Sequence, residues 1–176
     1  MQRAEAAQPG DLNLRWVRAG HFERIGDTEA AIAIYEDIYK QNSNLPVIAN
    51  NLASLLSTTR TDAESLERAY IVARRLRDSD IPAFADTYGW LAFKRGELED
   101  AKTHLERAVR GLPNEAAVHY HLGRTYLALG SATLARDSLQ RAALLVAQGG
   151  HSYPGLATEI DTALVEVGQL QAETEG

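Results

Sequence analysis

The 176-residue chain contains no cysteine, which excludes disulfides and thiolate metal sites. That absence is equally compatible with the cytoplasm and the periplasm. Proline is scarce, at five residues, and lies between apolar blocks rather than inside them. No apolar run approaches the roughly 20 residues that a membrane-spanning helix needs, so direct membrane insertion is not expected. Met1–Gly10 lack the apolar stretch of a secretory signal, and residues 1–11 read as a flexible lead. A piece cut from a longer protein would look the same. An excess of positive charge is missing too: 18 Lys and Arg stand against 24 Asp and Glu, a net charge of −6. With no Lys/Arg-rich run to act as a local exception, nucleic acid is not an expected partner.

Chemical signatures are equally sparse. The chain has no Gly-x-Ser-x-Gly elbow, no Gly-rich phosphate loop and no His-Glu-x-x-His helix, so no catalytic residue is assigned and no cofactor is expected. Gly149-Gly150-His151-Ser152 follows no strand and reads as a connector. Glu97, Glu99 and Asp100 fall at a turn, where helix N-termini favour acids. His119 and His121 stand two apart, on different sides of a helix, and cannot share one metal ion.

What the chain does have is a repeat. At an offset of 34 residues Gly89 falls on Gly123, Gly96 on Gly130, Ala101 on Ala135, Leu105 on Leu139 and Ala108 on Ala142. Gly26, Ala31, Tyr35 and Ile38 repeat the spacing of Gly96, Ala101, Leu105 and Ala108. A further copy carries Leu52, Ala53, Leu56, Ala69, Ala73 and Leu76, with about four extra residues around Thr58 to Ser65. Repeats therefore begin near Leu12, Pro46, Pro82 and Ala116, spanning about 12–45, 46–81, 82–115 and 116–149.

Each copy reads as two amphipathic helices around a glycine turn. Asp27 and the capping box Thr61-Asp-Ala-Glu64 are expected to start second helices, and Asn114 to cap the helix at Glu115. Pro46 and Pro82 suit the first turn of first helices. Gly89, Gly123, Ala101 and Ala135 are expected to admit close helix approach, with Tyr88, Leu105, Tyr126 and Leu139 filling space around them. One hairpin cannot bury its apolar stripe alone, so the hairpins must stack. The expected fold is all-α, a solenoid of about four hairpins across 12–148. A capping helix at 152–170 follows, with Leu156, Ile160, Leu164 and Val167 on its apolar face and Ser152 as its cap, and then a frayed tail at 171–176.

Two copies carry a specific likeness. Ala85-Asp-Thr-Tyr-Gly89-Trp-Leu-Ala-Phe-Lys-Arg-Gly96, with Ala101, Leu105, Ala108 and Pro113, resembles a tetratricopeptide repeat. His119-Tyr-His-Leu-Gly123-Arg-Thr-Tyr126, with Gly130, Ala135, Leu139 and Ala142, resembles it as closely. Repeat one departs from the pattern, with Arg15 and Arg18 at places that the family keeps apolar, and repeat two has the stretched turn.

The resemblance implies a right-handed superhelix and a non-enzymatic scaffold that takes a peptide or helix of another protein in its concave groove. By register it places Asn50, Asn51 and Ser54 in that groove, then Asp86, Thr87, Trp90 and Phe93, then Tyr120, His121 and Arg124. Trp90 and Tyr120 are expected to stand exposed there as anchors; the competing reading packs them between neighbouring helices. The Lys/Asn/Asn/Lys/Arg clamp of chaperone-tail binders falls on Trp16, Gly20, Asn51, Ala83 and Thr87, or one repeat later on Asn50, Ser54, Thr87, Ala117 and His121. Neither register supplies a Lys or Arg, so that clamp is not expected.

A narrower likeness rests on Asn50-Asn-Leu-Ala-Ser-Leu-Leu56 and Tyr153-Pro-Gly155 together with these motifs. It points to the C-terminal ends of bacterial tetratricopeptide proteins, some of them lipoproteins beside exopolysaccharide export or protein sorting, and implies an envelope scaffold. The alternative function is a structural module that self-associates through its repeat ends.

Overall fold

The computed structural model describes residues 11–150 and 153–175. Among them the regular structure is helical throughout. The helices are α1 (Leu12–Arg24), α2 (Thr28–Gln41), α3 (Pro46–Thr59), α4 (Ala63–Ala73), α5 (Pro82–Lys94), α6 (Leu98–Gly111), α7 (Ala116–Ala128), α8 (Ala132–Ala147) and α9 (Leu156–Glu175). A 3-10 turn at Arg74–Leu76 follows α4. Among the described residues no helix is long and apolar enough to cross a membrane.

The helices divide into two compact units, one up to Leu76 and one from Arg77 onward. Within each unit the helices pair in chain order, α1 with α2, α3 with α4, α5 with α6 and α7 with α8. The arrangement is a solenoid of helical hairpins.

Local chemistry sets the helix starts. Asp11 accepts from the Asn13 and Leu14 amides, and Asp27 from the Ala30 amide. Pro46 and Pro82 occupy the first turns of α3 and α5, where a missing N–H costs nothing. Two expected caps move. Asp62 rather than Thr61 caps α4, because its carboxylate reaches the Ser65 amide at 2.8 Å. Asn114 does not cap α7; its Oδ1 accepts from Arg141 instead, and Glu115 holds the cap position without a side-chain bond.

The first helix of repeat one forms despite its departure from the pattern, since Arg15 and Arg18 find work outside a core. Arg15 pairs with Asp37, and Arg18 lies over the Phe22 ring at 5.4 Å. Gly26, Gly96 and Gly130 turn the chain between paired helices at φ of +79°, +79° and +73°, where a side chain would be strained. Gly149 and Gly155, with φ of +77° and +96°, flank the connection before α9.

Each unit has its own core. In the first, Ala19, Ala31, Tyr35, Ile38, Leu52 and Val72 are buried. In the second, Leu105 packs on Gly89 and Leu139 on Gly123 so closely that an added Cβ would sit 2.8 Å and 2.7 Å from the two leucine Cγ atoms. Helix α9 packs against α8 and α7, the same pattern by which α7 packs against α6 and α5. It buries Leu156, Ile160, Ala163 and Val167, with Ala163 taking the place expected of Leu164. The helix continues to Glu175, past the Leu170 at which the tail was expected to fray. His151 and Ser152, the latter the expected cap, lie outside the described residues, as do residues 1–10 of the lead.

Gly123→Ala is expected to destabilise the protein by about 1–3 kcal/mol, because Leu139 must give way to the new methyl. Urea unfolding followed by circular dichroism measures this, with Gly168→Ala, a helical site where nothing lies within 4 Å, as the control that should instead gain about 0.5–1 kcal/mol.

Candidate functional site

Counted from the first residues of α3, α5 and α7, the candidates share places. Asn50, Asp86 and Tyr120 stand at one, Asn51, Thr87 and His121 at the next, and Ser54, Trp90 and Arg124 one turn further on. They form one face of the first helices within each unit.

In the second unit this face closes on itself. Trp90 is sandwiched, with the Phe93 ring stacked at 4.8 Å and 5° and the His121 ring at 4.2 Å and 15°. Tyr120 tilts against Trp90 at 5.9 Å, and the Lys94 ammonium lies 5.3 Å from the indole centroid. The His121 Nδ1 is 2.9 Å from Asp86 Oδ1. Arg124 donates to Glu166 of α9 at 3.2 Å, and the Tyr153 hydroxyl to Glu159 at 2.6 Å.

Burial raises the Tyr120 hydroxyl to about 12, with the Glu159 charge adding to the effect. Burial, reinforced by the bond to Glu159, pushes Tyr153 up as well and draws Lys94 down. The two tyrosine hydroxyls therefore stay protonated near neutral pH.

The exposure expected of Trp90 and Tyr120 is not found: they are 9% and 6% exposed. For these two rings packing between helices prevails, because both indole faces are already covered. Thr87 and His121 are buried as well. Asp86, Phe93 and Arg124 remain partly exposed.

In the first unit Asn50, Asn51 and Ser54 are half-buried and uncharged. A one-way chain of hydrogen bonds runs through them: Asn50 Nδ2 donates to Asn51 at 3.4 Å, Asn51 Nδ2 to the Tyr35 hydroxyl at 3.1 Å, and that hydroxyl to Glu23 at 2.5 Å. Asn50 Oδ1 is shielded and has no partner. Ser54 presents its carbonyl to the hydroxyls of Ser57 and Thr58.

Residues 89–154 match the family described as the tetratricopeptide repeat. These are tetratricopeptide repeats. A TPR repeat-containing protein of Pseudomonas aeruginosa is 27% identical over 112 residues, or 63% of this chain and 19% of the relative. The chain thus spans about a fifth of that curated relative's length. Among solved structures, a thermophilic TPR protein of Thermus thermophilus is 18% identical over 93% of this chain and 87% of its own, with a TM-score of 0.65. MamA of Desulfovibrio magneticus is 15% identical over 94% of this chain and 97% of its own, with a TM-score of 0.56. At these identities the likeness is one of fold.

Within the tetratricopeptide frame, sequence reasoning missed Lys94, Tyr153, Glu159 and Glu166, which meet the candidate face directly. Helix α9 was read only as a cap, yet it packs like one more first helix. The signal was available in part, since Pro154 precedes α9 much as Pro46 and Pro82 open α3 and α5.

A second polar cluster lies behind the face. Asp100 accepts from Tyr88 at 2.8 Å and from Arg77 at 3.1 Å, with His104 beside it and Arg107 bonded to His104. Burial raises the Asp100 carboxyl, but Tyr88 and Arg77 lower it more, and its net shift is downward. Burial lowers His104. The cluster is a structural network around the Tyr88 ring. His119 has a packing role too, bonded to the Pro113 carbonyl at 3.0 Å. Among the described residues no three His, Cys, Asp or Glu side chains converge on a metal position.

Because both shifts are downward, the stability they supply is present above the unfolded-state values. It is lost as pH falls through the folded ones. Asp100→Asn is expected to flatten the acid limb of a stability–pH curve below about pH 5. Trp90→Ala should cost about 3–5 kcal/mol in urea unfolding at neutral pH, since it empties the centre of the ring stack.

Proposed function

We propose that this chain is a non-catalytic adaptor that binds a peptide or helical segment of another protein along the first-helix faces of its repeats. The observation that carries the reading is the direct contact between matching places on successive first helices, Asp86 and Trp90 of α5 against Tyr120 and His121 of α7. That contact makes one continuous wall from side chains that a globular core would not require to meet.

On this reading the buried rings set the wall's shape rather than anchor the guest. Contacts with the guest fall to the half-exposed residues: Asn50, Asn51 and Ser54 in the first unit, and Asp86, Phe93 and Arg124 in the second. A surface of this size and polarity suits an affinity of about 1 µM, roughly −8 kcal/mol. On the second face Arg124 is already engaged by Glu166, so a C-terminal carboxylate would have to compete for it.

Affinity capture from the native cell extract with the full chain as bait tests the proposal. Ser54→Arg combined with Arg124→Glu is expected to lower recovery of captured partners by about tenfold, a loss of about 1.4 kcal/mol or more. Helicity by circular dichroism should stay unchanged, because both positions are partly exposed. Undiminished recovery with intact helicity would remove the face as the binding surface.

A further inference from the structure

Two helices leave an apolar side chain standing in water. On α1 Val17 is 51% exposed, and on α9 Val165 is 62% exposed. Each valine shares its helix face with a glycine and one exposed charge. Val17, Gly20 and Arg24 follow one another along α1 at steps of three and four residues. Read backwards along α9, Gly168, Val165 and Asp161 follow at the same steps. A Cβ added at Gly20 or at Gly168 would meet nothing within 4 Å. Among the described residues no side chain pairs with Arg24 or Asp161.

Set antiparallel, the two rows coincide. Val17 falls on Gly168, Gly20 on Val165 and Arg24 on Asp161, with about 4.5 Å and then about 6 Å between successive places on either helix. Each valine enters the space beside a glycine, as Leu105 does on Gly89 and Leu139 on Gly123 inside their hairpins. Both rows are exposed in the single chain, so the helices that match belong to two copies.

Charge selects the pairing. Helix α1 carries Arg15, Arg18 and Arg24 against Glu23, whereas α9 carries Glu159, Asp161 and Glu166 and no Lys, Arg or His. A symmetric dimer would set α1 on α1 or α9 on α9 and bring like charges together. The unlike pair alone is attractive.

We infer that α9 of one copy docks antiparallel on α1 of a second copy, with a valine against a glycine at two places and Arg24 against Asp161 at the third. The contact is heterologous, so each copy in a pair keeps one helix unused and association continues past two. One helix pair is a small interface, which makes the association weak and reversible. None of the residues proposed to meet a guest takes part, so the two surfaces are independent.

Sedimentation velocity of the full chain at rising concentration tests the contact. The average mass is expected to climb with concentration, and to climb less in about 0.5 M salt, where exposed charges are screened. Val17→Glu disables α1 and Val165→Lys disables α9, each by setting a charge against its own sign. Either variant alone should stay monomeric. Mixed, they should form dimers and nothing larger, because one sound α9 and one sound α1 remain between them. Arg24→Glu should weaken association about fivefold, and adding Asp161→Arg to the same chain should restore it. All four positions are exposed, and circular dichroism confirms that each variant is folded. Val17→Ser and Val165→Ser serve should a charged variant unfold.

A mass that does not rise with concentration, a folded single valine variant that still associates, or a mixture that stays monomeric would overturn the contact. Failure of the double charge reversal to restore association would overturn the pairing of Arg24 with Asp161. Partner capture through Ser54 and Arg124 reads the segment-binding face separately, so the failure of one surface leaves the other standing.

Discussion

One kind of contact organises the second unit: in each of its two repeat hairpins a leucine of the second helix is pressed onto a glycine of the first. Leu105 on Gly89 and Leu139 on Gly123 leave no room for even a methyl group. Paired helices at that spacing turn their larger residues sideways, toward the neighbouring pair. Tyr88, Leu91 and Leu122 are among the residues so buried. Stacking follows from the shortage of space inside each hairpin, and the first-helix face is what stacking leaves over.

That origin explains why the repeat was legible in the sequence. Glycine and alanine at fixed spacing are required by contact distances, and contact distances survive when surface residues drift. The degenerate first copy shows the limit of the argument. Arg15 and Arg18 broke the apolar pattern, but α1 needed only Ala19 at the point of close approach, and its arginines went to Asp37 and the Phe22 ring. Capping was less legible. Asp62 and Thr61 are both able to cap, and only the backbone path around the stretched turn selects Asp62.

The candidate face was legible as a set of places but not as a set of exposures. Register puts Trp90 and Tyr120 on it correctly, because helical spacing depends on sequence alone. Their burial depends on who stands next to them. His121 comes from the following pair, Phe93 from the next turn, and Glu159 near Tyr120 from a helix the sequence marked only as a cap. No local pattern announces such a three-ring stack. Trp16 presents the converse: its repeat looked poor, yet it is the tryptophan that remains accessible.

The two faces accordingly have different characters, and the difference is electrostatic. The second unit's face satisfies its charges internally, Asp86 with His121 and Arg124 with Glu166, so a guest must displace an existing bond to gain a charged contact. Such a contact yields only the difference between two pairings, which is small on a partly exposed surface. The first unit's face is neutral at Asn50, Asn51 and Ser54, and its amides bond to one another and, through the Tyr35 hydroxyl, to Glu23. The well-formed repeats, by contrast, turn their aromatic and charged side chains on each other.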